Sequence, residues 1–255
     1  MAIDNWRLLD ISYDSTYRNL ALEEALIECN EFDELNPTVR LWINRPAVVL
    51  GRFQDVTLEV DLNLCTRNKI EIGRRFTGGG AIYQDDGTLN LTILTKETNM
   101  DIVELQRKNF SAIRRTLSEL GVSSTVDRLN SMFVRNKKIS GAAMAVRRDC
   151  ILWHASILIS SDLTIIHDVL APSRKSALTR RVRSRWEPVT SLQTLLGSKI
   201  EMTDMKNRLL ESIEYVFHVR VKNGTLTSKE ENDLERLLAS KYSRPEWNNL
   251  GISEV

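Results

Sequence analysis

The sequence predicts an α/β (α+β) fold built as one large domain, and three observations lead there. The chain has 255 residues, 42% of them hydrophobic, which is enough to bury a sizeable core. Short β-branched and apolar runs alternate with longer segments whose apolar residues recur at helical spacing. Glycine, proline or polar breaks separate these runs, and three of the helical ones open on capping signals. Composition then bounds the function. With 35 basic and 34 acidic residues the formal net charge is +1, so no global field announces a nucleic-acid or membrane-surface binder. Cys29, Cys65 and Cys150 are widely spaced, odd in number and without a C-x-x-C pair, which fits reduced thiols and neither a disulfide framework nor a metal site. No apolar run has bilayer-spanning length, and the N-terminus lacks a signal-peptide core, so a cytoplasmic protein is expected.

Taken in order, residues 6–11 read as a strand, and Ser15 caps a helix carrying Leu20, Ala21, Ala25 and Leu26 on one stripe. Residues 38–43 and 47–50 read as two strands of a hairpin, joined across Asn44, Arg45 and Pro46. A short helix is expected over 61–68, followed by strands at 70–76, 80–84 and 88–94. Asp101 with Glu104 opens a helix whose stripe, Ile102, Leu105, Ile113, Leu117 and Leu120, stops at Gly121. Sheet segments follow at 131–134, 138–146 and 151–159, the last two joined by the polar turn Arg147-Arg148-Asp149. From Glu201 a smaller group begins: a helix through Leu209 and Val216, a strand at 219–221, and a helix over 227–241 with Thr227 and Glu230 at capping-box spacing.

Chemistry concentrates in two places. Arg74-Arg75-Phe76-Thr77-Gly78-Gly79-Gly80-Ala81-Ile82-Tyr83 combines a bare-backbone turn, able to bring N–H groups close to a ligand, with arginines that supply planar positive charge. The same glycines alone also fit a plain hairpin. Lys137-Lys138-Ile139-Ser140-Gly141-Ala142-Ala143 sets a movable ammonium beside a wall of small side chains, which leaves room for a bound phosphate or acyl group. His154 sits in an apolar strand and reads as pocket lining or as a satisfied core histidine. The basic run 174–185 fits either a solvated loop or a grip on an anion. No Ser/His/Asp order, paired carboxylates or metal-ligand spacing emerges.

In order and spacing, these motifs together with Leu41-Trp42-Ile43-Asn44, Val49-Leu50-Gly51-Arg52-Phe53-Gln54, Leu152-Trp153-His154-Ala155 and the ending around Lys241-Tyr242 resemble the lipoate–protein ligase A family, over nearly the whole chain. The resemblance implies the biotin/lipoate ligase catalytic-domain fold, with mixed β-sheets flanked by helices. It implies a single catalytic domain over 1–255, in which 201–255 forms a small C-terminal helical segment beside the main body of 1–200. The implied reaction has two steps. ATP and lipoate give lipoyl-AMP, with Mg2+ accompanying the nucleotide, and an acceptor lysine then takes the lipoyl group as an amide. Carried over residue by residue, Arg75, Thr77, Gly78, Gly79, Gly80, Ile82 and Tyr83 would hold the lipoyl-adenylate, and Asn90 and Asn130 would hydrogen-bond the nucleotide. Lys138 would be the catalytic cation, touching both carbonyl and phosphate. Arg75, Gly141, Ala143 and His154 would shape the lipoyl tunnel. The implied partner is a lipoyl acceptor domain, of a dehydrogenase-complex E2 subunit or a glycine-cleavage H protein; neither nucleic acid nor a membrane is implied.

Three departures from the family pattern carry expectations of their own. Gln84 stands where histidine is common, which leaves a hydrogen-bonding role there and removes a protonic one. Ser131 follows Asn130 in place of the usual aspartate. The sequence closes where many members continue into a small accessory domain, so a separate accessory protein is expected, as in bipartite archaeal members. Two other readings stay open: a lipoyl or octanoyl transferase using a preformed donor, and a noncatalytic lipoyl-binding scaffold. The first would need a cysteine nucleophile near Ser131 or Pro172-Ser173, and Cys150 is in neither place.

Overall fold

The computed structural model describes residues 4–29, 37–96, 101–127, 130–170 and 182–251. Its first half runs β1 (Asp4–Leu9), α1 (Thr16–Cys29), β2 (Thr38–Trp42), β3 (Ala47–Leu50), α2 (Val56–Glu59), α3 (Leu62–Arg67), β4 (Glu71–Arg74), β5 (Ile82–Gln84) and β6 (Thr88–Lys96). Then come α4 (Ile102–Glu119), β7 (Thr125–Val126), β8 (Ser131–Val134), β9 (Lys137–Arg147), β10 (Cys150–Leu158), α5 (Leu163–Val169), α6 (Leu192–Leu196), α7 (Met202–Phe217), β11 (Val219–Asn223) and α8 (Ser228–Leu237). Two wide helical turns, Leu238–Tyr242 and Glu246–Leu250, follow. Among the described residues the strands form one eight-stranded sheet, ordered β11-β1-β2-β6-β10-β9-β8-β7, and one three-stranded sheet, ordered β4-β3-β5. Both are mixed: β1 pairs in parallel with β11 and β2, and β3 in parallel with β4, while the remaining pairings are antiparallel.

The expected hairpin over 38–50 does not form. β2 joins the large sheet beside β6, and β3 crosses to the small sheet between β4 and β5. Asn44 explains the crossing: buried in the connection, it donates to Gln84 Oε1 (2.5 Å) and accepts from Asn19 Nδ2 (2.8 Å), so the turn is fastened to other elements and not to its own flanks. Pro46 follows it with no N–H to give a ladder. Other local expectations hold. The capping box of α8 has both its bonds, Glu230 N to Thr227 Oγ1 and Thr227 N to a Glu230 carboxylate oxygen. Asp61 and Asp101 cap α3 and α4, and Arg148, at φ 49°, turns β9 into β10.

Strand alternation divides the large sheet into two faces. Leu89, Leu91 and Ile93 of β6, with Trp153, Ala155 and Ile157 of β10, join the core cluster that includes Ile113 and Leu117 of α4 and Leu209 and Ile213 of α7. The opposite face carries α1 and α8 at one end, where Leu22, Leu26, Leu152, Leu234 and Trp247 cluster, and the alternating polar residues of the same strands at the other. A third cluster lies around the small sheet, where Val48 and Leu50 meet Ile70, Leu158, Ile166 and Val169. The residues after 201 are woven into this body: α7 packs on α4, β11 adds an edge strand to β1, and α8 lies on α1.

A buried ionic knot fixes the C-terminal segment. Glu24 accepts from Lys241 Nζ (2.7 Å), Arg147 Nη2 (2.5 Å) and Tyr242 Oη (2.6 Å). Burial works to raise its carboxyl, but the pairing with Lys241, the Tyr242 bond and Arg147 outweigh it, and Glu24 ends below the usual glutamate range. Removing the charge strands Lys241, while Arg147 keeps Glu28 (2.6 Å), so Glu24→Gln is expected to cost ~3 kcal/mol in urea denaturation at neutral pH. Because the folded carboxyl titrates below the unfolded one, this stabilisation is complete above the unfolded value and fades as pH falls through the folded one. The difference between wild type and variant should therefore shrink on acidification below about pH 4; a gap constant with pH would mean that the knot contributes no charge energy.

Candidate active site

Cross-strand register builds the floor of the site. On the open face of the large sheet, Trp42 pairs with Asn90, Asn90 with Ser156, Ser156 with Gly141 and Gly141 with Ser131, one row across five strands. The next row runs Arg40, Thr92, His154, Ala143. Small side chains at Gly141 and Ala143 leave space above the sheet. A cavity of about 310 Å³ fills it, walled by the first row, by His154 and Ala143, by Leu20 and Val49, and by Arg75, Gly79 and Gly80 of the glycine loop. A smaller cavity, about 110 Å³, adjoins it, lined by Tyr83, Ile139, Leu158 and Ile166 together with Glu59 and His167. Ile82, Lys138, Gly141, Ser184 and Glu187 border both.

The glycine loop is folded around Arg75. Its guanidinium, almost fully buried, donates to the carbonyls of Val49 (3.1 Å), Gly78 (2.7 Å) and Gly80 (2.8 Å). Among the described residues no carboxylate pairs with it. Burial, with Arg74 next to it, pulls its pKa down to about 10, so it stays charged at neutral pH. A buried cation satisfied only by dipoles retains its attraction for an anion. Gly79, at φ 95°, needs the freedom of glycine, and a Cβ there would also sit 2.9 Å from Arg75 Nη2. Arg74 does different work. It donates to the carbonyls of Gly51, Gln54, Trp247, Asn248 and Asn249, and Trp247 Nε1 returns a bond to its carbonyl, so the C-terminal turns clamp the strand from which the loop springs.

Lys138 opens β9 from the turn at Asn136. Its ammonium lies across Gly141, where a Cβ would meet Cε at 3.0 Å and Nζ at 3.2 Å. Arg75 and Lys138 thus line the same cavity. Asn90 adds a donor: its Oδ1 accepts from Gln84 Nε2 (2.5 Å) and Ser156 Oγ (2.7 Å), while its buried Nδ2 has no partner. Gln84, itself bonded to Asn44, Asn90 and Ser156, is the hydrogen-bonding group expected at that position.

The remaining expected site residues divide. Asn130 and Ala143 lie on the larger cavity, Tyr83 on the smaller, and Ile82 on both. Thr77 and Gly78 lie on neither wall. The Thr77 hydroxyl is committed to His154 Nε2 (2.9 Å), and a Cβ on Gly78 would meet nothing within 4 Å. His154 is both things the sequence allowed, a cavity residue and a satisfied one. Its Nδ1 faces Glu23 Oε2 (3.1 Å). Burial pushes the Glu23 carboxyl up, but bonds from His154 and Thr92 and the Arg40 charge hold it below the usual range, so it is an acceptor and Nδ1 carries the proton.

One set of residues was not anticipated. The strap 182–190 crosses both cavities and ties the glycine loop to the lysine strand. Ser184 Oγ accepts from Ala81 N (2.8 Å) and Gln54 Nε2 (2.9 Å), and Glu59 accepts from Arg183 Nε (2.8 Å) and Ser184 N (3.0 Å). The available signal was the stretch Arg183-Ser184-Arg185-Trp186-Glu187, of which only 183–185 was read, as the end of the basic run 174–185; residues 174–181 of that run, and Pro172 and Ser173 before it, lie outside the described residues. Nothing in the sequence singled out Glu59.

A family profile described as "Lipoyl protein ligase A/B catalytic domain" matches residues 15–214. "Lipoate-protein ligase A subunit 1" of Thermoplasma acidophilum is 31% identical over 244 residues, covering 92% of each chain. A lipoate-protein ligase A solved with ATP bound superposes at a TM-score of 0.87 with 28% identity, covering 97% of this chain and 100% of that one. The bipartite lipoate protein ligase of T. acidophilum, from a study of that ligase and its E2 lipoyl domain, gives a TM-score of 0.87 at 30% identity and covers 99% of both chains.

Proposed function

The chain belongs to the lipoyl protein ligase A/B catalytic-domain family, and from that premise we propose that it is an ATP-dependent lipoate–protein ligase of the cytoplasm. One observation carries the reading. Among the described residues, a buried guanidinium without a carboxylate partner, a movable ammonium and an unpaired buried amide line one cavity that Leu20, Trp42, Val49 and Ala143 also line. Lipoate fits this lining, its alkyl chain and dithiolane against Leu20, Trp42, Val49 and Ala143 and its carboxylate toward Lys138. The adjoining cavity, with Tyr83, Ile139, Leu158 and Ile166 in its lining, suits the nucleotide base, and Lys138, which borders both cavities, suits the phosphate between them.

In the first step a carboxylate oxygen of lipoate attacks the α-phosphorus of ATP, and the bond to pyrophosphate breaks. Arg75, the bare N–H groups of Gly79 and Gly80, Asn90 Nδ2 and Lys138 stabilise the charge that gathers on the phosphoryl oxygens. In the second, the amine of an acceptor lysine attacks the acyl carbon and AMP leaves with its electron pair, the amine losing a proton as the amide forms. Lys138 serves both steps because it can face the carbonyl and the phosphate at once. Mg2+ enters with ATP as substrate: among the described residues no group of three acidic, histidine or cysteine side chains could hold the ion by itself. The acceptor is a lipoyl domain of an E2 subunit or H-protein type, and likeness to a bipartite ligase supports a separate accessory protein as a further partner.

Mass spectrometry of a lipoyl acceptor domain, incubated with this chain, lipoate and Mg-ATP, with and without such an accessory protein, tests the reading. A 1:1 lipoyl amide is expected. Transfer from preformed lipoyl-AMP alone would favour a transferase, and no transfer from either donor a scaffold. A thioester route is tested separately. Cys65 and Cys150 are buried, and burial beside Asp61 pushes the Cys65 thiol up to about 11, so both are poor nucleophiles. Cys150→Ser should keep transfer within about twofold of wild type, since surplus cysteines behave as small packing residues; loss of activity with an accumulating acyl-enzyme would overturn this.

A further inference from the structure

The strap holds Lys138 twice. Through the backbone, Lys138 N donates to Pro188 O (2.7 Å) and Lys138 O accepts from Thr190 N (2.9 Å). Through the side chain, Lys138 Nζ is 3.4 Å from Glu187 Oε2, and the other oxygen of Glu187 is 3.3 Å from Arg185 Nε. The Glu187 side chain is 9% exposed and borders both cavities, so this carboxylate stands inside the substrate space. Of the carboxylates lining the two cavities among the described residues, Glu59 is committed to Arg183 and to Ser184 N, whereas Glu187 is held only by the two cations.

An anion bracketed by an ammonium and a guanidinium at the junction of two substrate cavities occupies the place that charge would give a phosphoryl group. We propose that Glu187 is a tethered stand-in for the nucleotide's phosphate, pairing with Lys138 and Arg185 in the empty site and displaced when the nucleotide arrives. The inference rests on the ligase reading above. It has a physical rationale. An ammonium aligned in a half-enclosed cavity without counter-charge is costly, and Glu187 keeps Lys138 extended over Gly141 until substrate takes over. It also ranks incoming anions. A singly charged carboxylate gains little by replacing another, whereas a polyanionic triphosphate outbids it, so the nucleotide should reach Lys138 before the free acid does.

The test is calorimetric titration of the full chain, as wild type, Glu187→Gln and Glu187→Ala, with Mg-ATP and with adenosine, after a thermal melt shows the variants folded. Loss of the competing carboxylate should tighten Mg-ATP by roughly three- to tenfold, the scale of a partly exposed ion pair, and leave adenosine within about twofold, because adenosine carries no phosphate to compete. Agreement between the two variants separates the charge from any bond the new amide makes. Unchanged or weaker Mg-ATP binding in both variants overturns the proposal, as does an equal shift for both ligands, which a loosened strap would give. Absence of Mg-ATP binding by wild type and variants alike, also with an accessory protein, would instead sink the ligase reading and this inference with it.

Discussion

Lys138→Ala is expected to lower single-turnover lipoyl transfer by ~10²–10³-fold, the scale of removing one preorganised charge donor from a developing anion, while circular dichroism and the melting temperature stay at wild-type values. The structure separates these two outcomes. The Lys138 side chain is 27% exposed and reaches into the shared cavity, and the strand holds the residue through main-chain bonds that alanine keeps. Both half-reactions should suffer if, as proposed above, the same ammonium faces phosphate in one and carbonyl in the other. Arginine in its place should not restore the rate: a planar fork is bulkier than a point charge, and the lysine chain already lies so close over Gly141 that a Cβ there would meet Cε at 3.0 Å. Turnover that survives Lys138→Ala would remove this residue from the mechanism.

Gly51→Ala should be nearly as damaging, without touching a charge. A Cβ on Gly51 would lie 2.1 Å from the carbonyl oxygen of Gly79, 2.9 Å from its carbon and 3.2 Å from Arg75 Nη2. The loop must therefore lift away, and a displacement of about 1 Å at a reacting centre costs on the order of 10²-fold in rate, with ~1–3 kcal/mol of stability lost to overpacking. Gly78→Ala is the control. A Cβ there meets nothing within 4 Å, so activity should stay within about twofold of wild type. Were the two variants equally active, close approach of Gly51 to Gly79 would have no part in shaping the cradle.

How far the sequence could lead is visible residue by residue. Alternation in β6, β9 and β10 was legible because one face had to be apolar, and it placed Asn90, Gly141, Ala143 and His154 on the other. The capping box of α8 was legible because it is local. The 38–50 hairpin failed for the complementary reason. Two strands three or four residues apart read as partners unless something pulls them aside, and what pulls them aside is Asn44 bonded to Asn19 and Gln84, distant in sequence. Thr77 carried the motif but spends its hydroxyl on His154, and Arg74, which looked like a second phosphate ligand, spends its donors on the C-terminal turns. The strap was illegible for a similar reason: Glu59 and Glu187 matter only because the fold brings them against Arg183 and Lys138.

The clamp on Arg74 has a consequence for how the molecule comes into being. The carbonyls of Trp247, Asn248 and Asn249 are made almost two hundred residues after the arginine they satisfy. A nascent chain that has displayed its glycine turn and its lysine strand has the carbonyls of Gly51 and Gln54 for this guanidinium but still lacks its three other acceptors. The strand from which the glycine turn springs is therefore fully satisfied only after residues 247–249 have left the ribosome.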